Sequence, residues 1–98
     1  MLYGQGPISS TIRAWRANSG SILSSGETSG EWISYRFYGS PSSMVSYIQY
    51  CVDTTNTCTP NITYTGDNHI TGNSYIRYRA VGTDGSVENT KSFYGVVG

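Results

Sequence analysis

Tyr50-Cys51-Val52-Asp53-Thr54-Thr55-Asn56-Thr57-Cys58-Thr59-Pro60 holds both cysteines of the chain. An apolar-aromatic run leads into it, and six residues rich in Asp, Asn and Thr lie between the thiols. This reads as a strand entering a tight loop with one thiol on each arm. A disulfide needs Cα atoms roughly 4.4–6.8 Å apart, which two hairpin arms supply. Cys51–Cys58 is therefore read as a staple across a hairpin. Two unpaired buried thiols are the alternative, and a zinc pair lacks its second Cys/His pair.

The composition around this loop points to strands. The 98 residues suit one small domain. Charged residues are 12%, against about 25% in ordinary domains. Leu, Ile, Val and Phe number only 18, while nine Tyr and two Trp supply apolar area. Tyr and β-branched side chains suit a pleated, half-buried surface. Formal net charge is zero, so no polyanion-binding surface is expected. No apolar run reaches the ~20 residues of a helical membrane span, so membrane insertion is not expected.

No helical period is sustained, and turn residues recur at the spacing of an all-β chain. Strands are expected over residues 11–17, 31–38, 45–52, 58–64, 74–81 and 87–97, with shorter pieces at 21–24 and 69–71. About seven short antiparallel strands fit a two-sheet sandwich. Alternation places Ile33, Tyr35 and Phe37 inside, with Ile48, Tyr50 and Val52, and with Ile76, Tyr78 and Ala80. In the first strand Ile12/Ala14 and Arg13/Trp15 take opposite faces, and the pattern does not choose between them. Tyr78 is a candidate tyrosine corner.

Residues 1–10 read as a Gly/Pro/Ser arm, either flexible or docking on a neighbouring subunit, and residues 11–98 as the folded domain. The N-terminus lacks a basic region and an apolar stretch, so it does not read as a secretory signal. A disulfide, however, is favoured outside the reducing cytosol. A signal already removed, an excised domain, or release from the cell by another route each reconciles the two. A virus particle freed by lysis is one such route.

Tyr50 to Pro60, together with Tyr75-Ile76-Arg77-Tyr78-Arg79-Ala80-Val81, resembles a type of immunoglobulin-like domain found in bacterial surface proteins and phage structural proteins. The resemblance runs from about Thr11 to the C-terminus. It implies an immunoglobulin-like antiparallel β-sandwich in which the first segment is a stapled hairpin and the second the penultimate strand. The family usually follows that strand with an Asp and an Asn-bearing Gly turn; here the turn is Gly82-Thr83-Asp84-Gly85-Ser86. The resemblance implies display, spacing, decoration or adhesion, without catalysis and without a common ligand.

Chemistry-bearing residues are sparse. The single His69 has no nucleophile elbow to serve, so no enzyme is expected. Asp53, Asp67 and Asp84 lie in turn-like loops, where Asp stabilises the turn itself. None has the ligand density of a calcium loop, so neither metal nor cofactor is expected. Asn61-Ile62-Thr63 spells a glycosylation sequon. The outward residues Tyr47, Gln49, Tyr75, Arg77 and Arg79 share one sheet and read as a candidate binding platform. Tyr and Arg are enriched at binding hot spots, although plain cross-strand pairing also accounts for them. Trp15 with Arg13 and Arg16, and Trp32 with Arg36, form smaller aromatic-basic groups. Zero net charge and a single lysine argue against nucleic acid. The expected function is a non-enzymatic module exposed on a phage virion, as a capsid decoration or tail/fibre component. Its expected partners are other virion or cell-surface proteins, and glycans. A bacterial surface adhesin domain and a carbohydrate-binding module are the alternatives.

Overall fold

The alternation that marks residues 31–38 as a strand also decides where the core lies. In β3 (Ile33–Ser40), Ile33, Tyr35 and Phe37 are buried while Arg36 and Tyr38, and Trp32 just ahead of the strand, face out. The computed structural model describes residues 7–98. Eight strands form among them: β1 (Ser9–Arg16), β2 (Ile22–Leu23), β3, β4 (Val45–Asp53), β5 (Ile62–Thr63), β6 (Asn68–Ile70), β7 (Ser74–Gly82) and β8 (Lys91–Gly95). They make two antiparallel four-stranded sheets, ordered β2-β1-β3-β6 and β5-β4-β7-β8.

The two sheets pack face to face through aromatic rings. Phe37 of the first sheet lies 5.2 Å from Tyr78 and 5.6 Å from Tyr50 of the second, and Tyr64 meets it edge-on at 5.1 Å. Ile33, Ile76, Ala80, Ile48, Leu23, Ile70 and Phe93 fill the space around them. Rings thus replace the missing aliphatic volume. Burial pushes the Tyr35 and Tyr78 hydroxyls above the usual tyrosine range.

In β1 the Ile12/Ala14 face points inward: Ala14 is buried and Ile12 packs on the core, leaving Arg13 exposed. The chain enters this strand at Ser9, two residues earlier than expected, and Ile8 already packs on the core. Residues 1–6 of the expected arm lie outside the described residues.

Three expectations need correction. Val52, expected inside, is 39% exposed. It lies at the far end of β4, beyond the two residues, Gln49 and Tyr50, that pair with β5. The strand expected at 58–64 shrinks to Ile62–Thr63, because the preceding loop is held on the outer face instead of in the ladder. The last strand starts at Lys91 rather than Val87. There Val87 makes only an isolated bridge to Val81, and Glu88 turns inward.

Glu88 clips the two sheets together. Its carboxylate accepts the Ser10 N–H of β1 at 3.0 and 3.1 Å, the Ser10 hydroxyl at 2.6 Å and the Ala80 N–H of β7 at 3.0 Å. Lys91 closes the group at 2.8 Å.

Candidate functional site

Two outer faces remain on the sandwich, one per sheet, and the sequence pointed to that of the second sheet. Cys51 and Cys58 are joined there, with Cα atoms 6.3 Å apart. Asp53 explains the loop between them. Its carboxylate accepts the N–H groups of Asn56 (2.9 Å), Thr57 (3.1 Å) and Cys58 (2.9 Å), and the Thr55 hydroxyl (3.0 Å). Asn56 takes a positive φ of 60° at the apex, a conformation Asn tolerates better than most residues. Partial desolvation works against the Asp53 charge, but the Thr57, Thr55, Asn56 and Cys58 donors outweigh it and hold the carboxyl below its usual range.

Arg77 serves the loop from below. Its guanidinium donates to the carbonyls of Cys58 (2.6 Å) and Asn56 (2.9 Å) and to the Asn56 side chain (3.0 Å). Arg79 donates to Gln49 Oε1 at 3.0 Å and to the Pro60 carbonyl at 3.2 Å. Both arginines are struts under the loop, and backbone that leaves the ladder is satisfied by their side chains.

The five platform residues are therefore brought together only in part. Gln49 and Arg79 are bonded neighbours. Tyr75 stacks on Tyr94 of β8 at 4.4 Å. Tyr47 pairs with Val81 and Tyr75 with Asp53, so the two tyrosines sit at opposite ends of the β4–β7 pair. At about 3.4 Å per residue, six residues separate them by roughly 20 Å. The loop covers the middle, leaving Tyr47 at one end and the Tyr75/Tyr94 stack at the other.

The outer face of the first sheet carries the larger exposed aromatic surface. Trp32, just ahead of β3, is 54% exposed. Its ring stacks on His69 of β6 at 5.2 Å with the planes 4° apart. Beside Trp32 opens a concavity of about 420 Å³ lined by Ala17, Asn18, Glu31 and Trp32. Glu31 is fixed in that wall by the Ser19 N–H and hydroxyl, both at 3.0 Å, and by the Asn18 N–H. Desolvation opposes its charge, and the backbone donors of Ser19 and Asn18 prevail, keeping the carboxyl below its usual value.

Further along the same face, a second concavity of about 360 Å³ is lined by Arg13, Trp15, Gly20, Ile22 and Arg36. Arg36 lies 5.5 Å over the Trp15 ring and is neutralised by Asp67 through two hydrogen bonds. That pairing, with the Arg36 hydrogen bond foremost, also holds Asp67 below the usual carboxylate range.

The sequence grouped these residues differently. Arg16, expected beside Trp15, instead donates to the carbonyls of Ser29 (2.9 Å) and Thr28 (3.1 Å). Arg36, expected beside Trp32, sits over Trp15. The alternation of Trp32, Ser34, Arg36 and Tyr38 already put these four on one side. Their neighbours depend on the β1–β3 register, which local pattern does not carry.

The three loop carboxylates do not converge on a common point. Asp53 takes loop donors, Asp67 takes Arg36, and Asp84 takes the Ser86 N–H at 2.9 Å. No helix among the described residues is long and apolar enough to cross a membrane. Comparison of the chain with protein-family models, curated proteins and solved structures finds no match.

Proposed function

We propose that this chain is a non-enzymatic, immunoglobulin-like structural and interaction module displayed on a phage virion, as a capsid decoration or tail/fibre component. The observation that carries the reading is the strand order. One sheet sets β3 between β1 and β6, and the other sets β4 and β7 side by side with β8 beyond. We read that partition as strands A, B and E against C, F and G of an immunoglobulin-like sandwich, with β5 as an added strand beside C and β2 as a short piece at the free edge of β1. The resemblance of residues 50–60 and 75–81 supports the same assignment.

Display on a particle rests on the resemblance and on the cross-linked loop. A Cys51–Cys58 disulfide persists outside a reducing cytosol. Its partners are then other virion proteins or molecules of the host surface.

The test is the protein composition of purified particles. Quantitative mass spectrometry should find the chain at a fixed copy number relative to the major capsid protein. Its absence from mature particles, with the chain recovered only from the cell fraction, overturns the reading.

A further inference from the structure

We infer that the outer face of the first sheet is a binding site for an acidic oligosaccharide, seating a neutral sugar ring on Trp32 and a sugar carboxylate at Arg13. This goes beyond the display role and does not depend on what carries the module.

Trp32 is large, half out in solvent, and held in place by the parallel His69 ring behind it. An aromatic ring held by a stacking partner at the edge of a concavity offers the C–H face of a pyranose an apolar seat at little cost in side-chain entropy. The wall of that concavity supplies what the sugar's hydroxyls need. Glu31 is an acceptor whose position is set by Asn18 and Ser19, and Asn18 lines the same space. An apolar plane with a few placed polar groups is the general form of a small-ligand site.

The charge at the other end selects the ligand. Arg13 and Arg36 are directly opposed across β1 and β3. Like charges in that position destabilise a sheet. Asp67 neutralises Arg36, whereas Arg13 is exposed and makes no ion pair among the described residues. An anionic group placed at Arg13 gives that guanidinium a counter-charge and gains a charge-assisted bond. The site is therefore directional, with the acid at Arg13 beside Trp15 and the neutral ring at Trp32 beside Glu31, which would repel an acid. Trp15 pairs with Ser34, two positions from Trp32, so the two tryptophans are diagonal neighbours roughly 7–8 Å apart. Adjoining sugar rings bridge that span.

Two sources of such an acid are separable with defined probes. Calorimetric titration of the native protein would use oligogalacturonate against its methyl ester, and sialyllactose against lactose. At least one acid should bind, about tenfold or more tighter than its uncharged counterpart, and the pair that shows the difference identifies the sugar class. Arg13→Gln, at an exposed position, should bring the acid down to the affinity of its counterpart. Trp32→Ala should remove binding of both, while Tyr75→Ala on the opposite face leaves it intact. No binding of either acid at millimolar concentration overturns the inference. So does an acid preference that survives Arg13→Gln, or binding that survives Trp32→Ala in a variant whose circular dichroism shows it folded.

Discussion

Removing the Glu88 carboxylate should cost this domain a large share of its stability, and the cost should depend on pH. Among the described residues, Glu88 is the one acidic group bonded to both β1 and β7, and its side chain is only 11% exposed. In Glu88→Ala the Ser10 N–H, at the sandwich interior, and the Ala80 N–H are left without an acceptor. Each such orphan costs about 1–3 kcal/mol, and breaking a buried charged group costs about 3–5 kcal/mol in all. Glu88→Gln keeps one carbonyl oxygen and loses the charge-assisted part, so about 1–2 kcal/mol is expected. For a domain of this size 1 kcal/mol moves Tm by about 4–8 °C. The alanine variant should therefore melt at least about 12 °C lower, and the glutamine variant about 4–16 °C lower. Desolvation raises the Glu88 pKa, but the Lys91, Ser10 and Ala80 partners more than reverse this, leaving it below its ordinary value of 4.5. A depressed folded-state pKa gives stability that is present above 4.5 and is lost as pH falls through the folded value. The gap in Tm between wild type and Glu88→Gln should thus be widest near pH 7 and shrink toward pH 3. Thermal melts by circular dichroism at both pH values measure it. A gap that stays constant, or a Glu88→Gln variant within about 0.5 kcal/mol of wild type, would refute the clip.

Three further outcomes follow from the geometry. Cys51→Ser/Cys58→Ser opens a loop of about eight residues, so chain-entropy reasoning caps the loss near 2.5 kcal/mol, or about 10–20 °C in Tm. The fold should survive, the native protein should weigh two hydrogens less than its reduced form, and an unchanged melt would rule out a stabilising cross-link. Asp53→Ala removes the acceptor for three loop N–H groups. Amide exchange at Asn56, Thr57 and Cys58 should accelerate while β3 amides keep their protection, and unaltered loop exchange would mean that Arg77 and the disulfide suffice. Gly39→Ala would bring a Cβ within 2.7 Å of Val45 Cγ1 and 2.9 Å of its Cβ. Overpacking of this kind costs about 1–3 kcal/mol in denaturant melts. The new Cβ of Gly95→Ala meets mainly the terminal methyl of Ile70, which can rotate away, so that variant should lose less stability than Gly39→Ala.

What the sequence made legible follows the range of the forces involved. β3 and β7 were readable because Ile33, Tyr35 and Phe37, and Ile76, Tyr78 and Ala80, are buried at every second position, and a one-residue slip would expose Ile33 or Ile76. β1 was not, because Trp15 and Ala14 invert the usual sizes. The small residue faces a core already filled by rings, and the large one lies outside under Arg36. The Cys51–Cys58 link was legible from spacing. Its consequence was not, since the loop rests on Arg77 and Arg79 from a strand about twenty residues away. For the same reason the Tyr/Arg platform, which alternation grouped on one face, is divided by the loop. The Trp32/His69 stack joins residues from β6 and the edge of β3, a juxtaposition that only the register supplies.

A chain this poor in aliphatic residues needs something besides area to select one sandwich. Hydrophobic burial is non-directional, and alternation alone does not forbid a two-residue slip, which keeps the same face inward. The polar groups remove that freedom. Glu88 bonds only when Ser10 and Ala80 are level across the two sheets. Arg77 bonds only when the loop from β4 lies over its own strand. Asn68 meets the Tyr50 hydroxyl at 2.8 Å only when β6 is in step with β4 of the other sheet. Desolvation offsets much of what these bonds supply, so the net gain from each in the correct fold is modest, about 1–2 kcal/mol at most. A slipped register leaves the same groups buried and unpaired, at about 1–3 kcal/mol apiece. Against a total of ~5–15 kcal/mol for a domain, two such penalties separate the native arrangement from its nearest competitors. The specification of this fold therefore resides in a few long-range polar bonds, while the rings supply the bulk of the driving force.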